Sequence, residues 1–145
     1  PVNIPLAMPA VAQQFLCSSS VLQTPAALQR TVGGNANFSC SHKVSEVFYL
    51  YWYRQRQHGE PLICIGYLYS KNINIESGFK HRFTLRGDST EHSYLEIHNL
   101  SREDRGEYFC AIRQHNDTNS LSADTKPPTL TLCTFSSNKL NPVTQ

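Results

Sequence analysis

Short segments in which apolar and polar residues alternate recur through the middle of the chain, from Val21 to about Ile112. Alternation with period two is typical of a β-strand with one buried face. The clearest example spans residues 36–40, and an aromatic-rich strand follows at 50–55. A helical pattern lasts for only about one turn, at residues 101–105. The chain is therefore predicted to be an all-β protein of two packed sheets.

The alternation also predicts which side chains face the core. Cys40, Trp52 and Cys110 fall on three different strands with the same inward orientation. Two cysteines on opposing sheets with an indole between them would form a disulfide that joins the sheets. Closing a loop of about 70 residues stabilises a fold by roughly 4 kcal/mol in the chain-entropy description. The other predicted inward positions are Ala36, Phe38, Leu50, Phe83, Leu85, Leu95, Ile97 and Tyr108.

Two further features concern the base of the predicted sandwich. Tyr108 precedes Cys110 by two residues, the position from which a tyrosine hydroxyl bonds to the backbone of a strand corner. Arg82 opens one strand, and Asp104 lies just before the last one. We expect these two charged side chains to form an ion pair that closes the base of the sandwich.

Charge and composition exclude several classes of function. The chain has 145 residues, with 13 Lys and Arg against 11 Asp and Glu, and this near-balance gives no basic surface for nucleic acid. The apolar stretch Leu62–Leu68 is far shorter than the roughly 20 residues that span a bilayer. Neither the G-x-S-x-G nor the H-E-x-x-H sequence of hydrolytic enzymes occurs. We therefore expect no enzymatic activity, no nucleic-acid partner and no membrane span.

The five cysteines favour an oxidising compartment, because no pair has the C-x-x-C spacing of zinc or redox sites. We expect no metal and no cofactor. Cys64 has no clear partner within the predicted domain and is expected to be a buried free thiol. Three N-glycosylation sequences begin at Asn37, Asn99 and Asn116. They are consistent with export, although Pro1–Leu16 lacks the basic residues of a clear signal peptide.

Together these motifs resemble an immunoglobulin variable-type domain, and most closely the variable segment of a T-cell receptor beta chain. The resemblance extends over about residues 21–112 and implies a Greek-key sandwich of two antiparallel sheets. Alpha, gamma and antibody light-chain types share these framework motifs and remain alternatives. The stretches that carry the resemblance are Leu22–Pro25, Asn37–His42, Tyr51–Gln55, Ile65–Tyr69, Leu95–Asp104 and Tyr108–Cys110.

The resemblance implies two binding surfaces. One face of the outer sheet would meet a second, alpha-type variable domain, and loops around 44–49, around 69–75 and from Ile112 would bind peptide presented by a major histocompatibility molecule. This assembly would lie on the extracellular face of the plasma membrane. The alternative is a stand-alone coreceptor or adhesion ectodomain with residues 113–145 as its stalk. The expected interface residues are Tyr53, Gln55, Pro61, Leu62 and Phe109, and the expected antigen-loop residues are Tyr49, Tyr69, Lys71, Asn72, Asn74 and Arg113.

The two ends of the chain depart from the family pattern. A complete variable domain ends in a strand with the sequence Phe-Gly-x-Gly, and no such sequence follows Cys110. The sandwich is therefore expected to lack its joining strand, so that the strand ending at Cys110 would keep an unpaired edge. We expect a leader or intron-derived segment at residues 1–20, the domain at 21–113 and an irregular tail at 114–145.

One hypothesis explains both ends: the sequence is the translation of an unrearranged germline variable segment. Codons for His115–Asp117 can contain the recombination heptamer CACAATG, and codons for Thr125–Pro127 can form an A-rich nonamer. Residues 114–145 would then be read-through past the recombination signal. Cys17, in the intron-derived segment, and Cys133, in the read-through segment, would be by-products of translating non-coding sequence rather than disulfide partners.

Overall fold

A computed structural model describes residues 21–114 and 138–144 of the chain. Within these ranges ten strands form two sheets, with the orders β1-β3-β8-β7 and β2-β10-β9-β4-β5-β6. All described pairings are antiparallel except that of β10 with β2. The predicted all-β, two-sheet architecture is confirmed. The strands are β1 Val21–Thr24, β2 Ala27–Thr31, β3 Ala36–His42, β4 Val47–Gln55, β5 Ile63–Tyr69, β6 Asn72–Ile75, β7 Phe83–Asp88, β8 His92–Ile97, β9 Gly106–Gln114 and β10 Asn138–Val143.

The core lies between the sheets and consists of the side chains that alternation directs inward. Trp52 is fully buried, and its indole N–H donates a hydrogen bond to Ser93 Oγ at 3.0 Å. Phe38 and Tyr108 stack with ring centroids 5.4 Å apart. The predicted disulfide between Cys40 and Cys110 joins β3 to β9 and closes a loop of 70 residues. It stabilises the fold by roughly 4 kcal/mol on chain-entropy grounds.

A buried carboxylate organises the base of the sandwich. Asp104 follows β8 in a single turn of 3-10 helix, Arg102–Asp104, and its side chain is only 1% exposed. Arg82 donates to both of its oxygens, at 2.8 and 3.0 Å, and Arg54 Nη1 lies 3.8 Å from Oδ1. The hydroxyl of Tyr108 donates to the backbone carbonyl of Asp104 at 2.6 Å. Two cations and one carboxylate therefore hold β4, β7 and the β8–β9 turn together.

The expectation that the joining strand is missing is wrong. Residues 138–140 pair with 106–108 of β9, and residues 139–143 pair in parallel with 27–31 of β2. The edge of β9 below Cys110 is therefore covered by β10, and this part of the predicted irregular tail is a strand. The sequence Asn138–Val143 lacks the expected Phe-Gly-x-Gly, but it presents buried Asn138 and Leu140 in alternation. Cys17, Cys133, Asn116 and the codon positions of the recombination-signal hypothesis, 115–117 and 125–127, lie outside the described residues.

The first strand of the domain is divided between the sheets. β1 pairs with β3, and after the cis Thr24–Pro25 peptide the chain continues as β2 at the edge of the other sheet. A second single turn of 3-10 helix occupies Ser77–Phe79 between β6 and β7. None of the helices in residues 21–114 and 138–144 is long and apolar enough to cross a bilayer.

Candidate functional site: a tyrosine-rich sheet face and the adjoining loop end

The outer face of the six-stranded sheet carries a continuous group of aromatic side chains. Alternation along β4 turns every second residue outward, so the rings of successive tyrosines follow one another up the strand. The ring centroids of Tyr49 and Tyr51 are 5.8 Å apart, those of Tyr51 and Tyr53 are 6.1 Å apart, and Tyr67 on β5 lies 5.5 Å from Tyr51. We name this surface the tyrosine face; its members are Tyr49, Tyr51, Tyr53, Tyr67, Tyr69 and Phe109.

Strand register sets the rows of this surface. Tyr53 on β4 lies opposite Phe109 on β9 and Cys64 on β5. One row higher, Tyr51 lies between Ala111 and Tyr67. Aromatic and aliphatic pairs directly across strands stabilise a sheet, but half-buried rings in water also mark surfaces that bind partners. The rows give an aromatic-rich face across β9, β4 and β5.

The structure brings only part of the expected interface set together. Tyr53 and Phe109 are half-buried neighbours, and half-buried Leu62 and exposed Pro61 precede β5. Gln55 Nε2 donates to the carbonyl of Glu60 in its own β4–β5 turn at 2.7 Å. The Gln55 amide thus holds the turn that carries Pro61 and Leu62.

Burial raises the pKa of two hydroxyls and one thiol on this face, those of Tyr51, Tyr53 and Cys64. Burial, with smaller effects from Cys64 and Tyr51, raises the pKa of Tyr53 from 10.0 to about 12. Burial also raises the pKa of Tyr51, while the nearby Arg113 opposes that shift. The pKa of Cys64 rises for the same reason, with Glu76 contributing. Cys64 is free, as expected, but it is half-buried rather than buried.

Three turns meet at one end of the sandwich, next to the upper edge of the tyrosine face. They join β3 to β4, β5 to β6 and β7 to β8, and we name this region the loop end. The expected loop residues lie differently from the prediction: the β5–β6 hairpin turns at Ser70 and Lys71, so Asn72 and Asn74 belong to β6. A hairpin this short is set by the left-handed backbone of Ser70, with φ of 53°.

The remaining expected loop residues lie at strand ends rather than in loops. Tyr49 is in β4, Tyr69 ends β5, and Arg113 is near the end of β9. Register brings the three side by side, and the Arg113 guanidinium lies 4.2 Å from the centroid of the Tyr49 ring. This cation–π contact places a positive charge where the tyrosine face reaches the loop end.

A fully buried serine ties the loop end together. Ser89, in the β7–β8 turn, donates from Oγ to the carbonyl of Phe48 at 2.7 Å and accepts from the N–H of Ser70 at 2.8 Å. Its own N–H donates to the carbonyl of Ser70 at 2.9 Å. Ser89 therefore joins three parts of the loop end: the start of β4, the β5–β6 turn and its own β7–β8 turn. We name these bonds the loop clasp.

His42 extends the loop clasp to β3. Its Nε2 lies 2.7 Å from the carbonyl of Ser89, and its Nδ1 accepts from the N–H of Val44 at 3.1 Å. A ring that donates from one nitrogen and accepts at the other is neutral, so these two bonds fix its tautomer. Sequence reasoning missed both Ser89 and His42. A signal existed for His42, since it continues the inward series 36, 38 and 40, but Ser89 resembles any polar turn residue.

Among the described residues, no group of histidine, cysteine and carboxylate side chains has the arrangement of a metal site. The arrangement offers an aromatic sheet face and, beside it, turns held together by hydrogen bonds.

Comparison with known proteins identifies the class of domain. The immunoglobulin V-set domain family matches residues 23–126. T cell receptor beta variable 18 of Homo sapiens is 37% identical over 97 residues, which are 66% of this chain and 83% of that protein. The Ig kappa chain V region K-25 of Oryctolagus cuniculus is 31% identical over 96 residues, 66% of this chain and 84% of that protein. Both relatives are variable regions, one of an immunoglobulin kappa chain and one of a T-cell receptor beta chain.

Solved structures show the same fold. One such chain comes from a study of T cell specificity and activation by the bacterial superantigen toxic shock syndrome toxin-1. It superposes with a TM-score of 0.66 at 20% identity, and the match covers 83% of this chain and 97% of that one. A chicken T-cell receptor chain superposes with a TM-score of 0.68 at 22% identity, over 86% of this chain and half of that one. At these identities the likeness supports the fold alone.

Proposed function

Because the chain belongs to the immunoglobulin V-set family, we propose that it is the antigen-recognition variable domain of a T-cell receptor chain, of beta type. The 37% identity to a human T-cell receptor beta variable region supports the receptor class and the chain type. The observation that carries the proposal is the tyrosine face, which runs without interruption into the loop end. This arrangement places a surface for one partner on the sheet directly beside a surface for another at the loops.

The first partner in this proposal is a second, alpha-type variable domain on the tyrosine face. Tyr53 and Phe109 supply the half-buried apolar centre, and Gln55, Pro61 and Leu62 form its lower rim. Aromatic side chains that are already packed lose little rotamer freedom on binding, so they suit the centre of an interface. The second partner is a peptide–major histocompatibility complex at the loop end, contacted by Tyr49, Tyr69, Lys71, Asn72, Asn74 and Arg113.

A pairing measurement tests the proposal. The chain is mixed with a recombinant alpha-type T-cell receptor variable domain, and complex formation is followed by analytical ultracentrifugation. We expect a one-to-one complex that Phe109→Arg weakens by about 2 kcal/mol or more, because a charge replaces a central ring. Leu22→Arg is the matched control, since Leu22 is 61% exposed on the other sheet. Equal binding by both variants, or no complex with the folded parent chain, would overturn the pairing surface.

The loop contacts are tested on the paired domains. Lys71→Ala and Arg113→Ala are expected to weaken binding to a peptide–major histocompatibility complex while leaving pairing intact. Retained binding in both variants would contradict this use of the loop end. The proposed location of such a receptor is the extracellular face of the plasma membrane, with other chain segments supplying the anchor.

One observation favours the alternative of a stand-alone coreceptor or adhesion ectodomain. β10 comes from this chain's own later segment and completes the six-stranded sheet without a strand from a joining sequence. The same observation removes one premise of the germline hypothesis, the missing strand. Genomic and transcript sequences across His115 and Thr125 separate the two: a recombination heptamer at His115 supports a germline segment, and an uninterrupted transcript through Gln145 supports the ectodomain.

A further inference from the structure

Two of the N-glycosylation sequences lie on the four-stranded sheet, away from the tyrosine face. Asn37 is the second residue of β3, with its side chain exposed between the buried residues Ala36 and Phe38. Asn99 follows β8 with φ of 52°, and it too is exposed, whereas the next residue, Leu100, is buried. Both asparagines therefore point to solvent while their neighbours anchor the backbone in the core.

The two sites occupy one corner of the domain. The N–H of Asn99 donates to Oδ1 of Asn35 at 3.3 Å, and Asn35 stands two residues, about 7 Å of strand, before Asn37. This corner is at the end of the sandwich opposite to the loop end, because β3 begins and β8 ends there. Substituents on the two asparagines would form a single patch.

We propose that Asn37 and Asn99 carry N-linked glycans, which cover the outer face of the four-stranded sheet at this corner. In the transfer, the side-chain amide nitrogen attacks C1 of an oligosaccharide carried on a polyprenyl diphosphate. The C1–N bond forms as the C1–O bond to the diphosphate breaks, the nitrogen loses one proton, and the polyprenyl diphosphate leaves. The proposal requires passage through the secretory route but does not depend on which partner the domain binds.

The folded sheet accommodates a glycan at both positions. The side-chain amides of Asn37 and Asn99 make no hydrogen bond within the described residues. A glycan on either amide nitrogen therefore breaks no contact there. In the folded domain the hydroxyls of the two sequences are engaged, Ser39 with Thr24 Oγ1 at 2.7 Å and Ser101 in the cap of the 3-10 helix. We therefore expect the transfer to precede the closing of these contacts.

Glycans at this corner would cover exposed apolar side chains of the four-stranded sheet. Leu22 and Tyr94 are large apolar side chains on the same sheet face, 61% and 37% exposed. Tyr94 lies opposite Ser39, diagonal to Asn37 across the β3–β8 pair, within reach of the first sugars. The four-stranded sheet would be shielded, while the tyrosine face on the other sheet stays bare for binding.

Mass measurement of secreted protein tests the modification. The full chain is expressed in animal cells behind a cleavable export signal, in an Asn116→Gln background so that two glycosylation sequences remain. We expect two glycans, one of which is lost in Asn37→Gln and the other in Asn99→Gln. Asn74→Gln is the matched control, an exposed strand asparagine outside any glycosylation sequence. Unmodified peptides at 37 and 99 in secreted, disulfide-bonded protein would overturn the proposal.

Hydroxyl-radical labelling tests the covering. We expect labelling of Tyr94 to rise in secreted Asn37→Gln relative to the glycosylated parent, with labelling of Tyr69, 44% exposed on the other sheet, unchanged. A parallel rise at both tyrosines would instead indicate loosened structure, and no rise at Tyr94 would show that the glycan points away from the sheet. Either outcome contradicts the proposed shielding.

Discussion

The side-chain amides of Gln23 and Asn138 lie 2.6 Å apart, from Nε2 to Oδ1, although 115 residues separate them in sequence. Gln23 is 3% exposed and also bonds to the backbone of β9, accepting from the N–H of Cys110 and donating to the carbonyl of Tyr108. Asn138, with no exposed surface, donates from Nδ2 to the carbonyl of Pro25. The two amides thus connect β1, β9 and β10 beside the disulfide.

Removing either amide is expected to weaken the attachment of β10. Gln23→Ala and Asn138→Ala should each lower the free energy of unfolding by about 1 to 3 kcal/mol, because each leaves buried polar groups without a partner. The double variant should cost less than the sum, since both changes break the same bond. Urea denaturation measures all three. Lys139→Ala, exposed on the same strand, is the control, and a cost equal to that of Asn138→Ala would show that β10 is not held by this contact.

Ser89→Ala tests the loop clasp. The change removes the hydroxyl that bonds to the carbonyl of Phe48 and to the N–H of Ser70, and these two groups keep their mutual hydrogen bond of 3.2 Å. We expect a loss of about 1 to 3 kcal/mol of stability, together with faster amide hydrogen exchange at Ser70. Ser77→Ala, at an exposed position, serves as the control. Unchanged exchange at Ser70 would count against the clasp as the element that fixes these turns.

Asp104→Asn tests the buried charge at the base. The substitution removes the carboxylate that faces Arg82 and Arg54, and breaking a buried pair costs about 3 to 5 kcal/mol. Glu103→Gln is the matched control, because Glu103 is 79% exposed and lies 3.9 Å from Arg56, an ion pair worth about 1 kcal/mol at most. Thermal unfolding compares the two variants. Similar melting temperatures would contradict the central role of Asp104.

Alkaline titration tests the packing of the tyrosine face. Burial raises the pKa of Tyr53 from 10.0 to about 12. The stability that comes from its neutral phenol is therefore complete below pH 10 and is lost as the pH rises toward 12, because the unfolded chain releases the proton first. Urea denaturation between these pH values should show a smaller decline in Tyr53→Phe than in the parent chain. Tyr94→Phe controls for loss of a hydroxyl, and an unchanged decline in Tyr53→Phe would contradict the prediction.

The sequence predicted the core because alternation alone decides which side of a strand is buried. The inward orientation of Cys40, Trp52 and Cys110 follows from whether each occupies an odd or an even position along its strand. The same rule placed Tyr53 and Phe109 outward, and strand register then made them neighbours. These features depend on local pattern and on a few pairings that the pattern implies.

The parts that sequence reasoning missed depend on contacts between distant segments. No strand was predicted at residues 138–143 because the Phe-Gly-x-Gly sequence is absent. The pairing with β9 nevertheless uses only Asn138–Leu140, and Pro142 lies beyond it. The Ser89 hydroxyl bonds to a backbone carbonyl and a backbone N–H, which every residue except proline has, so its partners leave no trace in the sequence. A short polar residue in a turn looks the same in the sequence whether its side chain is solvated or buried. Only the folded structure distinguishes the two.

The parallel pairing of β10 with β2 determines how the domain bears force. A pull along the chain beyond Val143 is directed down the axis of β10, so the hydrogen bonds that join residues 139–143 to residues 27–31 are strained simultaneously. Strands that must slide past each other resist far more than strands that unzip one bond at a time. If the segment after this strand connects the domain to a cell, tension applied during contact between cells would load the β2–β10 hydrogen bonds together rather than one after another.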